Sequence, residues 1–274
     1  MTVGFIGAGN MGGALAGAVA RAMERNEDIA GELLICDKNS ERAEAVAKDI
    51  GGRTAAADEM IECCDIIFFG VKPQTLPALA EELSAPLSAL RRQRRRPPLA
   101  VTMAAGVSIS KFECMFGGLP VIRIMPNTPV SVGEGVIFWC AAEGVAKDMR
   151  RAFSAIMSAC GERFEVDERH IDAAGALSGC GPAYVYMFIE ALADGAVAAG
   201  LDRQTALRAA TSTVIGAGTL LRELDCHPGV LKDAVCSPGG TTIEGVRTLE
   251  EHAMRAAVMD AVLAAYRKTE ELKY

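Results

Sequence analysis

Large aromatic side chains and histidines are scarce in this sequence of 274 residues. Aromatic residues account for 5% of it, with one tryptophan, and there are three histidines. Because hydrophobic residues still make up 50%, the core must be built from Ala, Val, Leu, Ile and Met, and disorder is excluded. With 28 glycines, this composition favours tightly packed helices and close helix–sheet contacts over an all-β sandwich. The length predicts two domains.

Patterns typical of membrane spans, metal sites and disulfides are also missing. The uncharged stretch over residues 173–189 is broken by Gly and Pro and is too short to span a bilayer. The nine cysteines, an odd number, show no paired CxxC spacing, and Cys63 and Cys64 are adjacent. We therefore expect reduced thiols, no metal, no membrane partner, and no secretory segment before the strand-like run after Met1. A reducing cytoplasm is the expected location.

The formal net charge of −7 gives no reason to expect nucleic acid as a partner. One basic run, from Arg91 to Arg96, stands out against this background and ends at two prolines. An anion or nucleic-acid patch would need a wider basic face than the flanking sequence supplies. The run therefore favours a solvated loop or helix end.

The first half of the chain alternates short β-branched runs with helical patterns, which is typical of a parallel sheet covered on both faces. Predicted strands span 2–7, 33–37, 65–71, 99–104, 121–125 and 136–140. Predicted helices span 11–24, 40–50 and 76–90, and Ser40 is expected to cap the second of these.

The second half shows only helical patterns rich in Ala and Gly, over 184–199, 203–224 and 243–268. A boundary near Val166 and Asp167 predicts one domain over 1–166 and a second over 167–274. The helical domain has more apolar faces than one copy can bury, so we expect a homodimer or a higher homo-oligomer.

A G-x-G-x-x-G segment follows the first predicted strand and opens the first helix. It consists of Gly7, Ala8, Gly9, Asn10, Met11 and Gly12. Gly7 would permit the tight turn, Gly9 would let the backbone approach a pyrophosphate, and Gly12 would let helix and strand pack closely. The helix N-terminus would offer N–H groups to that anion. A structural turn without a nucleotide is the alternative.

This placement predicts the fold class: α/β, with an N-terminal Rossmann-type, doubly wound parallel sheet over 1–166 that binds a dinucleotide, followed by an all-helical C-terminal domain. Asp37 ends the second strand, where an acid typically bonds the ribose 2′-OH of NAD. Lys38 and Asn39 follow, and either could contact the 2′-phosphate of NADP instead. Both NADPH and NADH therefore stay open, as does an ordinary strand-end acid that faces water.

Three further loops follow predicted strands. Because ligands bind outside the carboxyl ends of such strands, these loops should border the nicotinamide side of the cleft. Predicted cofactor-binding residues in these loops are Gly70, Val71, Lys72, Pro73, Ala105 and Asn127. Single Pro and Gly residues at strand ends are ordinary turn chemistry, but three such loops on one edge indicate a site.

The second half carries SGCGPAY over 178–184 and SPGGTT over 237–242, which leads into the last predicted helix. Successive N–H groups of a Gly-Gly turn at a helix start form a nest for a carboxylate. Thr241 and Thr242 could also be mere N-caps.

Taken in order, these motifs closely resemble those of pyrroline-5-carboxylate reductases. The likeness runs from VGFIG at 3–7 through VKPQ at 71–74, AAGV at 104–107, MPNTP at 125–129 and SGCGPAY to LKDAVCSPGGTT at 231–242. It thus covers nearly the whole chain. It implies NAD(P)H-dependent reduction of the cyclic imine (S)-1-pyrroline-5-carboxylate to L-proline, the final step of proline biosynthesis. It also implies a helical dimerisation domain.

The resemblance implies roles for single residues as well. Thr242 would hydrogen-bond the imine nitrogen, directly or through water, as the catalytic group. The substrate carboxylate would be bound by the turn made of Ser237, Gly239, Gly240, Thr241 and Thr242. Lys72 could supply the proton, although its motif favours a place beside the nucleotide. Cys180 departs from the commoner SGSGPAY.

Two other functions remain as alternatives. A β-hydroxyacid or 6-phosphogluconate-type dehydrogenase also joins a Rossmann domain to a helical one, with a catalytic Lys on a helix of the second domain. Lys232 is the nearest candidate here, and its LKD context is predicted to be a loop. A non-catalytic dinucleotide-binding protein would keep the glycine segment but would have no reason to keep SPGGTT.

Overall fold

The computed structural model describes residues 1–93 and 96–271. The strands are β1 (Thr2–Ile6), β2 (Glu32–Cys36), β3 (Arg53–Thr54), β4 (Ile66–Phe69), β5 (Leu99–Thr102), β6 (Val121–Met125), β7 (Gly135–Ala141) and β8 (Gly161–Glu165). They form one sheet in the order β3-β2-β1-β4-β5-β6-β7-β8. Neighbouring strands run parallel except for the antiparallel pair β6 and β7. The order steps outward from β1 in both directions, which is the doubly wound arrangement that the sequence predicts.

Helices connect the strands and make up the second half. In the first half they are α1 (Asn10–Arg25), α2 (Ser40–Asp49), α3 (Ala57–Cys63), α4 (Leu76–Glu82), α5 (Ser84–Arg92), α6 (Ile109–Met115) and α7 (Lys147–Ile156). The remaining helices are α8 (Ile171–Ser178), α9 (Gly181–Ala198), α10 (Arg203–Leu224), α11 (Pro228–Ala234), α12 (Thr241–Glu251) and α13 (Met254–Glu271).

The central strands are buried on both faces of the sheet. Every residue of β4 is buried, and Phe68 stacks on Phe5 of β1 with ring centroids 4.5 Å apart. A parallel strand covered by helices on both sides has a continuously apolar sequence rather than an alternating one. This explains why the run Ile66–Phe69 marks the middle of the sheet so clearly.

A buried ion pair ties α8 to β6. Arg123 of β6 is 3% exposed, and its Nη2 lies 2.5 Å from Oδ1 of the equally buried Asp172. Its Nη1 lies 3.3 Å from Glu168, whose Oε1 also accepts the backbone N–H of Ile109 at 2.6 Å. A buried charge requires such partners, since it has lost its hydration. The pair fixes where α8 begins against the sheet.

All six predicted strands are present, but two others were missed. β3 has only two residues, and β8 consists of the mostly exposed and polar segment Gly161–Glu165. Neither carries the apolar run on which strand prediction depends. The sheet is mostly parallel, and the one departure from the predicted parallel sheet among the described strands is the antiparallel pairing of β7 with β6. Residues 126–134 join β6 to β7, fewer than the dozen or so that a parallel crossover needs.

Two details of the helices differ from expectation. Asn39, not Ser40, caps α2, because its Oδ1 accepts the backbone N–H of Arg42 at 2.9 Å. The single helix expected over 243–268 is two helices, α12 and α13. Ala253 lies between them in the left-handed region with φ of 54°, and this conformation ends one helix before the next begins.

The basic run from Arg91 to Arg96 lies partly in α5. Arg91 and Arg92 form the exposed last turn of this helix, and Arg91 donates to the carbonyl oxygen of Gly117. Arg96 pairs with Asp148 at 2.7 Å. The other two arginines of the run, residues 94 and 95, lie outside the described residues. The part that is described is a helix end, as the sequence indicates.

The chain divides into two compact units, one of Met1–Cys180 with the C-terminal segment from Ala265, and one of Gly181–Ala264. In the second unit, α9 and α10 pack through a small cluster formed by Ala193, Ala206 and Ala210. Many large apolar side chains of this unit are exposed, Met187 to 69% and Met259 to 65%. Among the described helices, none has the length and apolarity that crossing a membrane requires. The domain boundary near residue 166 stays a prediction.

Candidate functional site: a dinucleotide cradle and a glycine turn

The glycine-rich segment forms a tight turn between β1 and α1. Gly7 has φ of +104°, and a Cβ on it would lie 2.7 Å from the carbonyl carbon of Gly70. A Cβ on Gly12 would lie 2.0 Å from the carbonyl oxygen of Gly7. Only glycine fits at both positions, since real Cβ atoms do not approach other atoms this closely. The turn therefore brings the ends of β1 and β4 and the start of α1 into backbone contact.

Gly9 differs from these two glycines because a Cβ on it would meet nothing within 4 Å. It is the N-cap of α1, which has no acidic residue in its first turn and, within the described chain, no side-chain cap. The first N–H groups of such a helix lack intrahelical partners and face an anion favourably. The space over Gly9 is open, and it lies beside the uncapped N–H groups at the start of α1. Both features suit the binding of a pyrophosphate.

Asp37 connects the end of β2 to this turn. Its Oδ2 accepts the backbone N–H of Ala8 at 2.7 Å, and its Oδ1 accepts the backbone N–H of Asn39 at 2.9 Å. The side chain is 11% exposed, and Nη1 of Arg42 lies 3.8 Å from Oδ1. The carboxylate thus holds the glycine turn in addition to facing the cleft.

A cavity of about 760 Å³ opens at the carboxyl ends of β1, β2 and β4. Nine of the predicted cofactor residues line it: Gly7, Gly9, Asn10, Met11, Asp37, Lys38, Gly70, Val71 and Lys72. Sequence reasoning missed Arg42, Cys36 and Glu82, which also line it. Burial raises the pKa of the Cys36 thiol, and the carboxylates of Glu82 and Asp37 raise it further. Arg42 could have been found, because it lies in the first turn of the helix that follows β2.

Pro73, Ala105 and Asn127 lie outside this cavity, although the ends of β4, β5 and β6 share one edge of the sheet as predicted. Asn127 is 5% exposed. Its Nδ2 donates to the carbonyl oxygen of Ser178 at 3.1 Å, and its Oδ1 accepts the backbone N–H of Val136 at 2.8 Å. Both ends of its amide therefore join segments of the protein, and contact with a cofactor stays a prediction for these three residues.

The SPGGTT segment forms a glycine turn at the start of α12 in the second unit. The backbone N–H of Gly240 donates to the carbonyl oxygen of Ser237 at 3.0 Å, and Gly239 has φ of +66°. A Cβ on Gly240 would lie 2.2 Å from Oγ of Ser237, so a larger residue there would force the Ser237 side chain to move. The backbone is therefore folded tightly just before the helix.

Gly240 is the N-cap of α12, and within the described residues no side chain caps this helix. Thr241 and Thr242 are its first two helical residues, and both are exposed. The interpretation of these threonines as mere N-caps is therefore wrong. Their side chains and the N–H groups of the first turn are available to a ligand.

Comparison with known proteins agrees with this geometry. A family model described as pyrroline-5-carboxylate reductase dimerisation matches residues 168–272, and one described as NADP oxidoreductase, coenzyme F420-dependent, matches residues 2–91. A pyrroline-5-carboxylate reductase of Arabidopsis thaliana is 38% identical over 271 residues, covering 98% of this chain and 95% of its own. One of Methanosarcina acetivorans is 39% identical over 277 residues, covering 98% and 97%.

A solved structure adds a match in three dimensions. The crystal structure of Plasmodium falciparum pyrroline carboxylate reductase with NADP bound matches with a TM-score of 0.84 and 32% identity, covering 100% of this chain and 98% of that one. The chain belongs to the pyrroline-5-carboxylate reductase family. The resemblance that the motifs indicate is thus confirmed over nearly the whole length.

Membership of the pyrroline-5-carboxylate reductase family argues against the dehydrogenase alternative. Lys232, the lysine that a β-hydroxyacid-type dehydrogenase would need, lies on the short helix α11 and not in a loop as predicted. It is paired with Asp233 at 2.5 Å, and this contact raises the pKa of its ammonium group. Lys232 is thus engaged in a surface ion pair, and its contacts give the dehydrogenase alternative no further support.

Proposed function

We propose that the chain catalyses the NAD(P)H-dependent reduction of (S)-1-pyrroline-5-carboxylate to L-proline, the final step of proline biosynthesis. One observation carries this proposal: a chain of the pyrroline-5-carboxylate reductase family has both a cavity beside the glycine segment, which would suit a dinucleotide, and the SPGGTT turn at a helix start, which would suit a small carboxylate. A dinucleotide-binding protein without catalysis would need only the first of these.

The cofactor, NADPH or NADH, supplies a hydride when it is bound. The chain's own part is to hold it. The first turn of α1 and the open space over Gly9 would bind the pyrophosphate. Asp37 and Lys38 lie at the end of β2, where an adenosine ribose is bound in this kind of fold. Val71 and Lys72 border the same cavity at the end of β4.

The substrate carboxylate would be bound by the turn from Ser237 to Thr242. Gly239 and Gly240 shape this turn, and the first N–H groups of α12 carry the positive end of the helix dipole. Such fixed donors bind a carboxylate without reorganisation, so the imine ring would be held in one orientation. Orientation of this kind contributes up to roughly 7–11 kcal/mol to a rate.

The imine nitrogen needs a proton as it is reduced. Thr242 is exposed in the first turn of α12, and we assign its hydroxyl the task of holding this nitrogen, directly or through water. Lys72 is exposed at the rim of the cofactor cavity and is the other group that could supply a proton. Both assignments are open to substitution experiments.

We also propose a homodimer or a higher homo-oligomer, in which residues 167–274 form the helical dimerisation and substrate domain and residues 1–166 the cofactor domain. Exposed apolar side chains of the Gly181–Ala264 unit, such as Tyr186 and Met187, support this assembly. A fully active monomer in light scattering would contradict it. A chain truncated after Val166 should lose imine reduction. Location in a reducing cytoplasm stays a prediction.

Purified protein, assayed with pyrroline-5-carboxylate and each reduced nicotinamide in turn, tests the proposed function directly. Loss of absorbance at the reduced-nicotinamide band, with proline as the product, is the expected result. Turnover of a hydroxyacid, with none of the imine, would favour the dehydrogenase alternative. Dinucleotide binding without turnover of either substrate would favour a non-catalytic binding protein.

A further inference from the structure

Three sulfur-bearing residues, Met60, Cys63 and Cys64, form a group that we call the sulfur cluster. It lies at the amino-terminal edge of the sheet, between α3 and the start of β4. Cys63 is the last residue of α3 and Cys64 is its C-cap. The backbone N–H of Cys64 donates to the carbonyl oxygen of Met60 at 3.0 Å. The cofactor cavity opens at the opposite, carboxyl edge of the strands, so the sulfur cluster is not part of it.

The thiols of Cys63 and Cys64 are in contact. Adjacent residues within a helix do not face each other, but Cys64 has left the helix, with φ of −82° and ψ of 146°. Its side chain is buried, whereas that of Cys63 is exposed. Burial raises the pKa of the Cys64 thiol, and the neighbouring Cys63 thiol, which hydrogen-bonds to it, raises this pKa further. The pair therefore connects the surface to the interior, and Cys64 rests as a neutral thiol, which is a poor nucleophile.

The thioether of Met60 lies beside the Cys64 thiol. Met60 is fully buried against β1. A Cβ on Gly4 of this strand would lie 2.9 Å from Sγ of Cys64 and 3.0 Å from Sδ of Met60. Both sulfurs thus converge on the same part of β1, in space that is open to them because position 4 has no side chain. The Cys64 sulfur therefore has a second sulfur on its buried side and the Cys63 thiol on its exposed side.

A cavity of about 260 Å³ opens beside Cys64. Two methionines, Met1 and Met149, also line it, so further thioethers border the space next to the thiol. Arg96 and Asp148 line the same cavity and pair with each other at 2.7 Å. A small ion can therefore reach the sulfur cluster from this cavity without first breaking into the core of the sheet.

The ligand types of the sulfur cluster decide which ion it suits. Thiolate and thioether sulfurs select soft metal ions. A structural zinc site needs four ligands, and no group of three His, Cys, Asp or Glu side chains among the described residues could hold a metal ion. Cu(I) is soft and accepts fewer ligands than zinc. We propose that Cys63 and Cys64, with Met60 as a third ligand, bind one Cu(I) ion. The two thiol protons pass to solvent, and the oxidation state of copper does not change.

Titration of the fully reduced, full-length chain with Cu(I), delivered without oxygen from its bicinchoninate complex, tests this proposal. The wild-type chain should take up one Cu(I) in its tightest step. Cys63→Ser should weaken this step by about 100-fold or more, because losing even an outer-shell partner of a metal ligand costs roughly 10- to 100-fold. Met60→Leu keeps the core apolar at similar volume and should weaken it by a smaller factor. X-ray absorption at the copper edge should show sulfur neighbours only.

Cys114→Ser is the matched control, because Cys114 is an exposed cysteine on α6, outside the sulfur cluster. It removes the same thiol and should bind Cu(I) as the wild type does. The proposal is overturned if Cys63→Ser and Cys114→Ser bind Cu(I) alike, or if nitrogen or oxygen neighbours surround the copper. The Tm of each copper-free variant shows that it is folded. Cys63→Ser, at an exposed position, decides the question if Met60→Leu does not fold, and neither result depends on imine reduction.

Discussion

The carboxylate of Asp37 accepts the backbone N–H of Ala8 at 2.7 Å, across 29 positions of sequence. This bond ties the end of β2 to the glycine turn that follows β1. A residue that sequence patterns mark as a ribose ligand is therefore also part of the scaffold that shapes the phosphate cradle. Substitutions of Asp37 should change cofactor affinity and cofactor choice together.

Asp37→Ser should raise the KM for both NADH and NADPH, because a hydrogen bond between a charged group and the turn, worth about 1.5–3 kcal/mol, is lost. The ratio of kcat/KM values should at the same time shift toward NADPH, since repulsion of the 2′-phosphate is relieved. Steady-state kinetics with both cofactors measures the two effects. If neither the KM values nor the ratio changes, Asp37 does not belong to the cofactor site.

Gly9→Ala and Gly12→Ala should separate binding from folding within one turn. A Cβ on Gly9 meets nothing within 4 Å, so Gly9→Ala should keep the wild-type Tm while crowding the pyrophosphate and raising the KM for the cofactor. A Cβ on Gly12 would lie 2.0 Å from the Gly7 carbonyl oxygen, so Gly12→Ala should lose about 1–3 kcal/mol of stability or more. Equal Tm values for the two variants would contradict this account.

Thr242→Ala should lower kcat by about 10²-fold or somewhat less, the low end for a positioned proton-transfer group. Because Gly240 and not Thr242 caps α12, the Tm should stay close to that of the wild type. Thr248→Ala is the matched control, because Thr248 is an exposed threonine later in the same helix and outside the SPGGTT turn, and it should retain the wild-type kcat. If Thr242→Ala keeps the wild-type kcat, the Thr242 hydroxyl does not assist protonation of the imine nitrogen, and water or Lys72 becomes the candidate proton source.

Arg123→Met should destabilise the chain by about 3–5 kcal/mol, because it leaves the buried Asp172 without its cationic partner. The double variant Arg123→Met with Asp172→Leu should recover much of this loss, since the remaining carboxylate that faced Arg123, on Glu168, is partly exposed to solvent. Chemical denaturation of the wild type, both single variants and the double variant completes the cycle. Strict additivity of the two single losses would show that the pair does not interact.

The sequence by itself determined the features that depend on local pattern. Alternating apolar runs and helical periods predicted six strands and the order of the two halves. The glycines at positions 7, 9 and 12 predicted a phosphate turn, because steric and electrostatic requirements act there within a few residues. The ordered motifs through SPGGTT likewise predicted the family, since each motif is a short, contiguous segment.

Only the tertiary structure decided which distant groups meet. Nothing near Asn127 in sequence shows that its amide joins Val136 to Ser178, and nothing near Arg123 shows that it pairs with Asp172. The second function of Asp37, as an anchor of the glycine turn, and the presence of Arg42 at the same rim are of this kind. Such contacts join residues far apart in sequence, and sequence periodicity does not predict them. They form because folding brings the segments together, and burial then requires each polar group to find a partner.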